Sequence, residues 1–245
     1  MALARAQLTV GELAFRQGDQ AATAATGAAL ASAESGGDVR TAARAEMNLA
    51  RIAFRDGDAP RIARHAERML ELLPDDPTIK PGAVHMLAWA AHTAGDIATA
   101  IHRFQENVEL YRAAGNVVGQ AGELANLGDL AAEAGDYDGA AQYLRQALDL
   151  AEAMSSRYLL PSLLASAATL AGFRGRHEES IELAAAAERQ YELAGLTPDP
   201  GDELSEQVRS RARQAVPGEH AQELEARGAA RSLEDAVELA HAVLG

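Results

Sequence analysis

The feature that most constrains this chain is one short turn, used again and again. The dipeptides Gly18-Asp19, Gly57-Asp58, Gly95-Asp96 and Gly135-Asp136, then Gly175-Arg176, follow one another at spacings of 39, 38, 40 and 40 residues. Glycine adopts at little cost the left-handed backbone that ends a helix. An Asp just after it can cap the following helix by accepting a backbone N–H bond. Each dipeptide therefore predicts a corner between two helices.

The flanks agree with that reading. Apolar helices are predicted before the turns, over Val39–Asp56, Gly82–Ala94, Val117–Ala134 and Tyr158–Arg174. Second helices are predicted after them, as in Ile97–Ala114 and Tyr137–Met154, and breakers such as Ser35-Gly36-Gly37 and Pro74-Asp75-Asp76-Pro77 follow. Ala140, Leu144, Ala147, Leu148 and Ala151 recur at helical spacing. One hairpin cannot bury such a face alone, so the repeat must be an array. Hydrophobic residues are 48% of the chain but aromatics only 4%, so the apolar content is mainly the helix formers Ala and Leu. No stretch alternates as a half-buried strand would. The fold class expected is all-α: a right-handed superhelix of about five hairpins plus C-terminal capping helices. The array spans 1–196, with repeats at about 2–35, 38–73, 78–114, 117–154 and 157–195. The cap spans 197–245: Pro198, Pro200 and Gly201 break the array, and shorter helices follow over Asp202–Val216, Pro217–Arg227 and Ser232–Leu244. Pro217 suits a first helical turn, and Ser232 a helix start.

The fourth repeat, AGELANLGDLAAEAGDYDGAAQYLRQALDL, resembles the tetratricopeptide pattern. Leu127-Gly128 stands in its first helix, Gly135-Asp136-Tyr137 at its turn, and Ala140, Leu144 and Ala147 in its second. Small residues at 128 and 140 would let the two helices approach closely. The standard period of ~34 residues is exceeded here. The run AAERQYELAGLTPDP and the tail ELEARGAARSLEDAVELA resemble the carboxyl end of large bacterial transcriptional regulators. These are the maltose-activator, large LuxR-type and antibiotic-regulator ATPase groups, frequent in actinobacteria. That resemblance implies a sensor or interaction module. The chain has neither a G-x-x-x-x-G-K-[ST] phosphate loop nor an obvious basic recognition helix, so it would be the sensor portion alone.

Formal net charge is −14, which disfavours nucleic-acid and acidic-membrane partners. There is no cysteine, which excludes thiol nucleophiles and Cys-ligated zinc. The start, MALARAQLTVGELAFRQGD, lacks the basic region and apolar run of a signal peptide. A cytoplasmic protein is expected by elimination.

In a tetratricopeptide array the first helix of each hairpin lines a shared hollow. Alignment on the turn glycines then predicts a lining of Arg5, Leu8, Glu12 and Phe15 from the first repeat and Arg44, Met47, Asn48, Arg51, Phe54 and Arg55 from the second. His85, Trp89 and His92 come from the third, Asn126, Asp129 and Glu133 from the fourth, and Ser162, Ser166, Thr169 and Phe173 from the fifth. Arg44, Arg51 and Arg55 fall on one face over three turns and suggest a grip on an anion or carboxylate. They could instead be solvated, or paired with Glu46 and Asp56. Trp89 offers a flat apolar wall with one N–H donor, or packing between repeats. Asn48 and Asn126 share a repeat position, which by resemblance holds a ligand backbone.

The ligand-binding set expected is therefore Arg44, Asn48, Arg51, Arg55, His85, Trp89, His92, Asn126, Asp129 and Glu133. No catalytic residue, cofactor or metal is expected. His85 and His92 are seven residues apart, ~10 Å along a helix, too far to share an ion. His177, His220 and His241 are assigned no role. The partner expected is a peptide, a protein segment or a small effector, with homodimerisation through an end repeat as a further expectation. The competing reading is a small-molecule enzyme on a recruited solenoid, suggested by the Arg/His/Trp/Asp mixture.

Overall fold

The computed structural model describes residues 1–196 and 203–245, and the described residues contain thirteen α-helices and no strand. The expected breakers Pro198, Pro200 and Gly201 lie outside the described residues. The chain divides into two compact units, Met1–Ala114 and Gly115–Gly245.

The first unit holds three hairpins: α1 (Ala2–Arg16) with α2 (Ala21–Ser35), α3 (Val39–Arg55) with α4 (Ala59–Leu72), and α5 (Lys80–Thr93) with α6 (Ile97–Ala113). Successive hairpins pack α2 on α3 and α4 on α5, and the first helices also meet directly, α1 on α3 and α3 on α5. The second unit holds α7 (Val117–Glu133) with α8 (Tyr137–Ala153), and α9 (Leu160–Phe173) with α10 (His177–Ala194). Then come α11 (Glu203–Ala215), α12 (Gly218–Ala230) and α13 (Leu233–Leu244), all packed on α10. α13 also touches α8 and α9. The repeat is a tetratricopeptide-like helical hairpin.

The corners follow from their residues. Gly18, Gly57, Gly95, Gly135 and Gly175 have φ of 68°, 69°, 80°, 83° and 73°, the left-handed region that favours glycine. Asp58, Asp96 and Asp136 then accept from the backbone N–H of Arg61, Thr99 and Gly139. Asp38 and Asn116 cap α3 and α7 in the same way at corners between hairpins. Such caps contribute about 1 kcal/mol each. Two corners differ. Asp19 accepts from Ala21, two residues on, and Arg176 occupies the N-cap of α10 without a side-chain cap. Pro217 likewise stands at the N-cap of α12, one residue before the first turn expected for it.

Packing depends on small residues. Ala140, Leu144, Ala147, Leu148 and Ala151 are all buried on α8. A methyl group on Gly128 of α7 would sit 2.6 Å from Leu144 Cγ, so glycine there sets how closely α7 and α8 approach. Gly228 of α12 is tighter still, because a Cβ would collide with the Glu182 carbonyl oxygen of α10. Among the described residues no helix is long and apolar enough to cross a membrane.

Candidate functional site

The first unit brings seven of the ten expected residues onto α3 and α5. Arg51 and Arg55, one turn apart on α3, both lie over the Phe15 ring of α1, with guanidinium carbons 5.1 and 5.0 Å from its centroid. Arg55 also donates to the Phe15 carbonyl at 3.4 Å. Neither arginine has a carboxylate partner among the described residues, and both are exposed. Arg44, two turns earlier, donates to Glu12 of α1 at 2.8 Å. Glu46 and Asp56, the partners weighed from sequence, are engaged elsewhere. Glu46 is buried and meets His65 at 2.6 Å, and Asp56 accepts from Arg61 at 3.3 Å.

Beside the arginines, Phe54 begins an aromatic cluster. Its ring lies 5.0 Å from Trp89 of α5 in a tilted contact. The rings of His92 and Phe104 meet Trp89 in T-shaped contacts at 5.4 and 5.3 Å between centroids. The indole N–H donates to His85 Nε2 at 3.0 Å, which fixes that nitrogen as an acceptor. Phe104 of α6 is fully buried and forms the floor. Phe54 remains 41% exposed, and Trp89 is half-buried. Trp89 therefore packs between repeats and also keeps part of its ring at the surface. Sequence reasoning did not include Phe104, because it stands on a second helix and the lining was drawn from first helices only.

Asn48 and Leu8 take a different place from the one expected. Asn48 is 2% exposed, and its Nδ2 donates to Thr26 Oγ1 at 2.8 Å. Thr26 in turn donates to the Ala22 carbonyl. Gly11 leaves the room for Thr26, since a Cβ there would collide with the threonine hydroxyl. Asn48 thus joins α3 to α2 inside the packing rather than lining a hollow. Leu8 is buried on α1 as a core residue.

The second unit carries the other three expected residues, all on α7. Asp129 and Glu133 are exposed, and half-buried Asn126 donates to Glu123 at 3.4 Å. On α9, Thr169 bonds Ser205 of α11 at 2.9 Å, and Phe173 stacks on Tyr137 at 5.7 Å.

Five arginines in this unit are held internally. Arg174 and Arg176 donate to the Val243 carbonyl at the end of α13, and Arg145 of α8 donates to the Leu244 and Gly245 carbonyls. Cations suit this end of a helix, where carbonyls lack partners. Glu182 of α10, 3% exposed, accepts from Arg227 and from Arg231, the latter at 2.7 Å. Burial pushes its carboxyl up, but the two guanidiniums outweigh this and hold it below the ordinary carboxylate value. Asp38 is also lowered, chiefly by its bonds from Thr41.

No family model and no curated relative matches this chain. Solved structures do. RapI in its apo form is similar at 15% identity with a TM-score of 0.64, over 86% of this chain and 84% of that one. A kinesin light chain of Podosopora anserina with nearly identical TPR-like repeats is similar at 18% identity with a TM-score of 0.51, over 82% of this chain and 93% of that one. At these identities the likeness is one of fold: a tetratricopeptide-like helical-repeat protein.

Proposed function

We propose that this chain is a protein-binding repeat module whose first unit holds an acidic peptide or protein segment on the α1–α3–α5 face. The observation that supports this most is the pair Arg51 and Arg55. In a chain of formal charge −14, two exposed guanidiniums stand together over one ring with no carboxylate partner among the described residues. Their planar forks suit carboxylates, which they can bind with two parallel bonds. Phe54 and the exposed part of Trp89 adjoin them and suit an apolar side chain of the same ligand. Arg44 adds a third cation once Glu12 yields it. Asn126, Asp129 and Glu133 on α7 are proposed as polar contacts for amide or cationic groups.

The finer role proposed is that of a sensor or interaction part of a transcriptional regulator. Its support is the resemblance of the tail to the carboxyl end of large bacterial regulators. A small carboxylate effector would use the same arginines. Isothermal titration tests both readings against three probes: short peptides carrying Asp or Glu beside Phe or Leu, the same peptides with Asn and Gln replacing the acids, and small dicarboxylates. Binding of the first set alone supports the segment reading, and binding of dicarboxylates alone supports the effector. Equal binding of acidic and neutral peptides overturns the role given to the arginines.

A further inference from the structure

We propose that Asp149 and Glu152 of α8 and His241 of α13 form a site for a first-row transition dication such as Zn2+. The two acids are three residues apart and so share one face of α8. His241 reaches them from a helix almost a hundred residues later. Its Nε2 lies 2.6 Å from Glu152 Oε2 and 4.0 Å from Asp149 Oδ1. One ligand atom from each of the three side chains falls within 4.8 Å of the others. Zinc bonds to nitrogen and oxygen at about 2.0–2.2 Å, which places tetrahedral donors roughly 3.4 Å apart. The two distances observed straddle that value. Small rotations of exposed side chains close the difference, and water can fill the fourth position.

Charge favours the same conclusion. Asp149 and Glu152 have no Lys or Arg partner among the described residues. The nearest candidate on their own helix, Arg145, is turned to the carbonyls of Leu244 and Gly245. The two carboxylates therefore have no guanidinium or ammonium beside them among the described residues, and a dication would neutralise both. The mixed nitrogen and oxygen set favours Zn2+, Co2+ or Ni2+ over Mg2+ and Ca2+, which prefer oxygen alone. A bound ion would link α8 to α13. Arg145, Arg174 and Arg176 already hold the end of α13, so the ion would add to an existing anchor and stabilise the second unit.

Calorimetric titration of the full chain with ZnCl2, after treatment with a chelator, tests the site, and thermal melting with and without the ion gives a second readout. The expected result is one site in the parent chain and a rise in Tm that Mg2+ does not reproduce. His241→Ala should weaken Zn2+ by about tenfold or more and abolish the rise. Glu152→Gln, which keeps a hydrogen-bonding partner for His241, should do the same even if His241→Ala unfolds the second unit. The site is overturned if the parent chain shows no rise in Tm with Zn2+, or if folded Glu152→Gln binds Zn2+ as tightly as the parent.

Discussion

In the first unit Arg51 and Arg55 lie exposed on the Phe15 ring without a carboxylate partner among the described residues. In the second, Arg145, Arg174 and Arg176 donate to carbonyls at the end of α13, and Arg227 and Arg231 close on Glu182. These five arginines thus secure structure in the second unit, whereas Arg51 and Arg55 stay available in the first. Substitution of these second-unit arginines or of Glu182 should act on stability, and substitution of Arg51 and Arg55 should act on binding.

The largest stability effect is expected at Gly228. A methyl group there meets a backbone oxygen, which cannot turn aside as a side chain can. Gly228→Ala should cost about 3 kcal/mol, read by urea unfolding, and a cost below about 1 kcal/mol would mean that α12 shifts freely on α10. Glu182→Gln comes next, at about 2 kcal/mol, because Arg227 is 57% exposed and partly screened by water. The folded carboxyl lies below its unfolded value. Its contribution is therefore present above the ordinary carboxyl value of 4.5 and lost as pH falls through the lower folded value. The difference in Tm between the parent and Glu182→Gln should shrink on acidification below about pH 4.5. A gap that stays constant down to full protonation would show that the charge is unimportant.

Smaller is the loss of a cap. Asp96→Ala removes the acceptor for the Thr99 N–H and should cost about 1 kcal/mol, with the Asn variant recovering most of it. Smallest in stability is Arg51→Ala, at about 0.5 kcal/mol for an exposed cation over a ring. If it destabilises as much as Glu182→Gln, the contrast between the two units fails.

The corners were legible in the sequence because their chemistry is local. A glycine in the left-handed region and an Asp that bonds three residues on need nothing from the rest of the chain. Where the local rule lapses, packing takes over. Arg176 cannot cap, yet α10 starts there because Ser180, Ile181, Leu183 and Ala184 are buried behind it. Ser155 takes φ 50° where no glycine marks the end of α8. Alignment placed Arg51, Arg55 and Trp89 on their helices, and the structure adds which rings they touch. It failed for Asn48 because burial there is decided by Thr26 and Gly11, on two other helices. The meeting of His241 with Asp149 and Glu152 was not legible either, since α13 reaches α8 only through its packing on the last hairpin.

The surface proposed for ligand contains the only tryptophan of the chain, so its fluorescence reports on that surface directly. The decisive measurement is a titration of Trp89 emission with an acidic, apolar peptide in the parent chain and in the Arg51→Ala/Arg55→Ala double variant. The account predicts a saturable change in the parent and at least about tenfold weaker binding in the variant, with Tm lowered only slightly. An identical titration curve for a folded double variant would contradict it.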